Sequence, residues 1–207
     1  MQKRLLNAQN RGFLYALFSR ILLLEADVPL LETLEKKDIK EFFPNLHEWN
    51  LFQTLPKQQL IDEHLNIDFT DLVLLHLIPY ESFYVREDGM VESGGDNPVY
   101  AFYDEFDFVV EKDKARVVSP DHIGIELEFM YMLCDAEAKA LKNSDEVAAN
   151  RLRQYQIDFL QKHLMKWAPL YLINVKNEAQ TPLYYDAAVT GLEFLLDDYQ
   201  NLSTAAI

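Results

Sequence analysis

The sequence of 207 residues predicts an all-α fold, a single helical bundle of about ten helices. Three observations predict it. Apolar residues recur at spacings of three and four along most of the chain, strand-like alternation is nearly absent, and most of the eight prolines fall between periodic segments.

The first helix is expected over Lys3 to Glu25, with Phe13, Leu17, Ile21 and Leu24 on one stripe and Leu14, Phe18 and Leu22 on the next. Two adjoining stripes make a wide apolar face, so this helix should be central to the core, with Arg4, Arg11 and Arg20 in solvent. Short helical pieces follow from Pro29: Leu30 to Lys36, a turn at Pro44, an amphipathic stretch from Lys57 to Leu65, and an apolar run from Leu72 that ends at Pro79. Tyr80 to Val85 is aromatic and ordered, whereas residues 87–98 hold Gly89, Gly94 and Gly95 and read as a loop. Val99 to Glu111 is expected to be helical again, with Tyr103, Phe106 and Val110 on one stripe.

Ser119-Pro120-Asp121 has the composition of a helix start: serine as N-cap, proline in the first helical position, an acid in the first turn. Beyond it Ile123, Leu127, Met130, Cys134, Ala138 and Leu141 keep one face. Further helices are expected from Asp145 to His163, from Trp167 to Ala179, and from the Thr181-Pro182 start onward. The chain is thus read as one domain with an N-terminal helical part (1–111), a hinge (112–119) and a C-terminal helical part (120–207).

The formal charge of −15 and a pI near 4.6 argue against nonspecific nucleic-acid or anionic-membrane binding, which need clustered lysine and arginine, and favour a basic partner. The single cysteine excludes a disulfide framework and the common zinc spacings. No uncharged run reaches the length of a membrane span, and Arg11 and Arg20 interrupt any apolar signal core, so a cytoplasmic protein is expected. Phosphate-binding glycine loops, His-x-x-x-His and Glu-x-x-His are absent, so no cofactor, metal or catalytic residue is assigned. An alternative is a small helical hydrolase or nucleotide-binding enzyme using Asp121, His122 and Glu126, because 122 and 126 share a helix face as a base and its orienter would. A general acidic adaptor without a dedicated client is a third reading.

The acidity is regional. Between Glu81 and Glu137 stand fifteen acidic and four basic residues, which account for eleven of the fifteen net negative charges. They are interleaved with Tyr80, Phe83, Tyr84, Tyr100, Phe102, Tyr103, Phe106 and Phe108. Carboxylates beside aromatic rings suit an amphipathic cationic peptide, since rings take apolar groups and arginine faces while carboxylates pair with guanidinium.

Pro79-Tyr-Glu-Ser-Phe-Tyr84, followed some forty residues later by Pro120-Asp-His-Ile-Gly-Ile-Glu-Leu127, resembles the paired signature of the TorD/DmsD family of chaperones for molybdenum-containing oxidoreductases. Arg11-Gly-Phe-Leu-Tyr-Ala-Leu-Phe18 is similar to the family's opening helix, and Trp167-Ala-Pro169 with Leu183-Tyr-Tyr185 to its closing helices. The resemblance implies an all-helical subunit, monomeric or a domain-swapped homodimer. It would bind the basic twin-arginine leader of an apo-molybdoenzyme catalytic subunit, delay export and hold the apoenzyme for cofactor insertion. The leader-binding residues it implies are Pro79, Tyr80, Glu81, Ser82, Tyr84, Pro120, Asp121, His122 and Glu126, with Tyr15 on the first helix.

Overall fold

The computed structural model describes residues 1–204. The fold is all-α, as expected: five long helices, α1 (Gln2–Leu23), α2 (Ile123–Lys142), α3 (Glu146–Phe159), α4 (Met165–Glu178) and α5 (Pro182–Thr204), are joined by shorter helical pieces. No strand forms among the described residues; the one β-type pairing is an isolated antiparallel bridge between Tyr80 and His122. No described helix is long and apolar enough to cross a membrane.

The chain gathers into two compact units, each discontinuous in sequence. The first comprises residues 1–23, 80–168 and the C-terminal residues from Leu195; the second comprises 24–79 and 169–194. Residues 112–119, expected as a hinge, lie wholly within the first unit, where Arg116 takes a left-handed conformation.

In the first unit α1 packs antiparallel to α2. Arg4 Nε meets Glu137, Gly12 faces Cys134, and Ser19 Oγ donates to the Gly124 carbonyl at 2.7 Å. Both crossings depend on glycine. A Cβ on Gly124 would lie 2.6 Å from Leu23 Cβ, and one on Gly12 would lie 3.2 Å from Cys134 Cβ. The apolar stripe differs from expectation. Leu17, Phe18, Ile21 and Leu22 are buried as expected, but the buried face also takes in Ala8, Arg11, Gly12, Tyr15 and Ser19, whereas Phe13 is exposed.

Arg11 corrects the expectation of a solvated arginine. It is buried, its Nη2 donates to Asp198 of α5 at 2.9 Å and its Nε to the other oxygen of the same carboxylate, and Nη1 stands 3.7 Å from Glu137. This bidentate fork replaces water around a buried charge, without which burial would be prohibitive. Cys134 is buried beside it, and burial pushes its thiol up to about 12, in keeping with the reading of a small core residue.

Three boundaries also moved. Tyr100–Tyr103 is helical but winds into a tight turn over Asp104–Phe106 and ends at Asp107, so Val110 shares no stripe with Tyr103. Its rings instead join an aromatic cluster of Tyr103, Phe106, Phe108, Phe129 and Phe159, the ring centres 4.8 to 6.2 Å apart. Second, Lys57 to His76 is one continuous helical rod, with widened π-type turns at Ile61–Leu65 and Thr70–His76. Third, α3 and α4 are continuous through a widened turn at Leu160–Leu164, and Pro169 stands inside α4, where it removes one helical hydrogen bond.

The second unit is held at its chain turns by three aspartate acceptors, Asp68 and Asp186 buried and Asp27 exposed. Asp27 caps the Val28–Leu34 helix by accepting from the Leu30 amide. Asp68 accepts from the Thr181 amide at 2.7 Å and hydroxyl at 2.6 Å, fixing the start of α5 where Thr181-Pro182 was expected to open a helix. Asp186 accepts from the Asn45 side chain and the Leu46 amide, anchoring the Pro44–Glu48 helix.

Candidate functional site

The two motif segments meet in the first unit. The Glu81 amide donates to the Asp121 carbonyl at 3.0 Å, and the Ser82 amide donates to Asp121 Oδ2 at 2.7 Å. Asp121 is therefore the acceptor that organises the start of the short Glu81–Val85 helix, thirty-nine residues upstream. The Tyr80 and His122 rings stack edge to face, 5.1 Å between centres, and Tyr80 Oη accepts from the Val118 amide.

The second motif caps its own helix differently from expectation. α2 begins at Ile123, and its N-cap is His122, whose Nδ1 accepts from the Gly124 amide at 3.1 Å. Ser119 and Pro120 precede the helix. Ser119 Oγ lies between Asp121 Oδ1 and the Glu92 carbonyl, 2.6 Å from the latter, so it ties loop 87–98 to the second motif. The Pro120 carbonyl accepts from Tyr103 Oη at 3.2 Å.

Most motif side chains are interior. Glu81, Ser82, Asp121, His122 and Glu126 are all buried, as is Pro79, which belongs to the second unit. Glu81 Oε2 stands 2.7 Å from Nδ1 of His163, which lies in the widened turn Leu160–Leu164 and stacks on Phe159. Glu126 Oε2 accepts from the Trp167 indole at 3.3 Å, and its Oε1 has no hydrogen-bond partner among the described residues. Burial, reinforced by the nearby Glu81 and Asp121 carboxylates, raises the Glu126 carboxyl well above its ordinary range. Burial lowers the His122 imidazole to about 3, so it is neutral at physiological pH. Tyr84 is half-buried, its ring 5.4 Å from that of Trp167.

Tyr15 does not join this assembly. It is fully buried on α1 and donates to Asp198 at 2.6 Å, so it belongs to the Arg11 network. Nor do Asp121, His122 and Glu126 converge as the enzyme reading needs. Asp121 is engaged by Ser82 and Ser119, His122 by Gly124, and Glu126 by Trp167.

What the motifs do build is a pocket of about 340 Å³. Four carboxylates line it, Glu81, Glu92, Asp96 and Asp121, together with Arg86, Ser82 and Asn97. The volume is that of a small-ligand site, enough for one or two side chains and not for a whole peptide. Asp96 is exposed and makes no ion pair among the described residues. Two residues given no role by the sequence are Glu92, in the lining, and His163, the partner of Glu81. Glu92 sits in a glycine-rich loop and His163 eighty-two residues from its partner, so no local pattern marks either.

A profile of the family described as nitrate reductase delta subunit matches residues 35–172. Among curated proteins, the chain is 26% identical over 204 residues to "Chaperone protein TorD" of Vibrio parahaemolyticus, covering 90% of this chain and 91% of that protein. It is 28% identical to the protein of the same name from Photobacterium profundum, over 61% of this chain and 58% of that one. It is 37% identical to the selenate reductase assembly chaperone protein of Thauera selenatis, over 33% of each. No solved structure matches the chain. Matched over most of its length by the family profile, and carrying the two motifs that build the pocket, the chain belongs to the TorD-type nitrate reductase delta subunit family.

Proposed function

We propose that this protein is a cytoplasmic chaperone that binds the basic twin-arginine leader of an apo-molybdoenzyme and holds the apoenzyme for cofactor insertion before export. The names of its relatives, a selenate reductase assembly chaperone and two proteins named TorD, support the chaperone role and an oxidoreductase client. The observation that carries the leader-binding reading is the pocket of four carboxylates at the junction of the two motifs. A guanidinium fits such a site because its planar fork pairs with carboxylates two bonds at a time.

Within this reading the motif residues divide. Asp121 and Ser82 build the pocket walls, and His122 caps the helix behind Asp121; Glu81, Glu92 and Asp96 offer the charge. Tyr80 and Tyr84 are half-buried and pack on His122 and Trp167, outside the pocket lining. The leader's apolar stretch lies outside the pocket, whose volume admits only its arginines.

Calorimetric titration of a synthetic leader with two consecutive arginines, at low and high salt, tests this. Binding is expected at low salt, weaker at high salt, and weaker still when lysines replace the arginines. A leader that fails to bind at low salt, or binds equally well to a Glu92→Gln/Asp96→Asn variant, overturns the assignment.

A further inference from the structure

We propose that Arg86, in the wall of the acidic pocket, is an internal competitor for Glu92, a guanidinium of the chain's own that an incoming arginine must displace from that carboxylate. This rests on the reading that the pocket receives a basic peptide.

The geometry is that of a bound ligand. Arg86 Nε donates to Asp88 Oδ1 at 2.9 Å and Nη2 to Asp88 Oδ2 at 2.7 Å, the bidentate fork of guanidinium on carboxylate. Nη1 donates to Glu92 Oε2, and Arg86 itself lines the pocket. Gly89 makes the near contact possible: its φ of 60° lets the chain turn back, its amide donating to the Arg86 carbonyl, so that side chains two residues apart meet.

The carboxylates are placed independently of Arg86. The Glu92 amide donates to Ser82 Oγ at 2.9 Å, its carbonyl accepts from Asn97 at 3.1 Å and from Ser119, and its Oε1 accepts from the Gly94 amide. Asp88 Oδ1 accepts from the Met90 amide at 3.1 Å. Both motifs thus hold Glu92 from either side. Arg86, by contrast, is an exposed side chain held, among the described residues, by these acids alone. The hydrogen bonds from its guanidinium, with the Met90 amide, hold the Asp88 carboxyl down to about 2, so the pair stays charged throughout the physiological range.

An exposed pair of this kind is weak, so its displacement is cheap for a ligand that brings its own guanidinium. A single lysine or a neutral peptide gains too little to displace it. Arg86 would in this way set a threshold that favours arginine-bearing partners.

The test is calorimetry of the full chain at low salt with N-acetyl-Arg-Arg-amide, comparing wild type, Arg86→Gln and Arg86→Lys. The dipeptide is expected to bind Arg86→Gln between about threefold and tenfold more tightly than wild type, with Arg86→Lys between them. Equal or weaker binding to Arg86→Gln overturns the inference. A second measurement uses unsubstituted protein: the side-chain Nε–Hε resonance of Arg86 should shift as the dipeptide saturates, and an unmoved resonance at saturation also overturns it. If the dipeptide binds no variant while the leader peptide does, the inference falls and the leader reading stands. If Arg86→Gln gains for the dipeptide while the leader binds no better than the dipeptide, Arg86 keeps its role and the leader reading falls.

Discussion

The interior acids of the first unit and the acids around its pocket mouth differ in what their charge is for. Asp121, Glu126, Glu137 and Asp198 are buried and almost every oxygen is engaged by a partner fixed in the fold. Asp88, Glu92 and Asp96 lie in one loop, half-buried or exposed, and among the described residues the side chains of Asp88 and Glu92 bond to Arg86 and to loop amides. Four of the fifteen acids between Glu81 and Glu137 are buried, so that much of the regional charge builds the protein and cannot attract a partner. Residue type is the same in the two sets. Desolvation separates them: a buried carboxylate must be matched by donors at fixed positions, whereas a solvated one can exchange partners.

The largest expected effect breaks the interior set. Arg11→Met leaves Asp198 buried without its cation, while Glu137 keeps Arg4, and is expected to cost about 3–5 kcal/mol in chemical denaturation. Arg11→Met with Asp198→Leu should recover a large part of that loss, and a double variant no better than the single would show that the charges are not what hold α1 to α5. Next, Asp121→Ala removes the acceptor of the Ser82 amide and a partner of Ser119. A loss of about 3 kcal/mol is expected, and leader binding should fall with it because the pocket wall goes.

A smaller, signed effect separates His122 from Glu126. The imidazole is depressed to about 3, so the unfolded chain takes up a proton that the folded chain refuses. Its contribution is complete above about 6.5 and is lost as the pH falls towards 3. The Glu126 carboxyl is raised, so its contribution is complete below about 4.5 and is lost as the pH rises. Between pH 4.5 and 6.5 the two oppose each other, each limited to about 1.4 kcal/mol per pH unit. Across that window Glu126→Gln should lose stability towards acid more steeply than wild type and His122→Gln less steeply. Slopes unchanged in both variants would remove this account. The smallest effect on stability belongs to the mouth: Glu92→Gln/Asp96→Asn is expected to stay within about 0.5 kcal/mol of wild type while weakening leader binding.

The helical architecture was legible because periodicity survives in any environment that has a core. The positions of α1, α2 and α5 and the junction at Thr181-Pro182 follow from apolar spacing and proline chemistry. The two motifs were legible as a pair, and the structure brings them together at Glu81, Ser82 and Asp121. Their division of labour was not. Asp121 reads as a cap for the helix that follows it, and it organises one thirty-nine residues earlier; Ser119 reads as the cap, and His122 takes that place. Tyr15 reads as a site residue and is bound into the core by Asp198.

By itself the sequence determined the fold class, the acidity and the pairing of two family-like segments, since these depend on composition, period and local motif. Only the tertiary structure decided which charges face water. Arg11 and Phe13 stand two apart on one helix, and the charged one is inside because Asp198 and Glu137 wait there. The acids behind the net charge of −15 thereby include carboxylates that close the core and carboxylates at the pocket, a distinction set by partners far away in the chain, which no local pattern encodes.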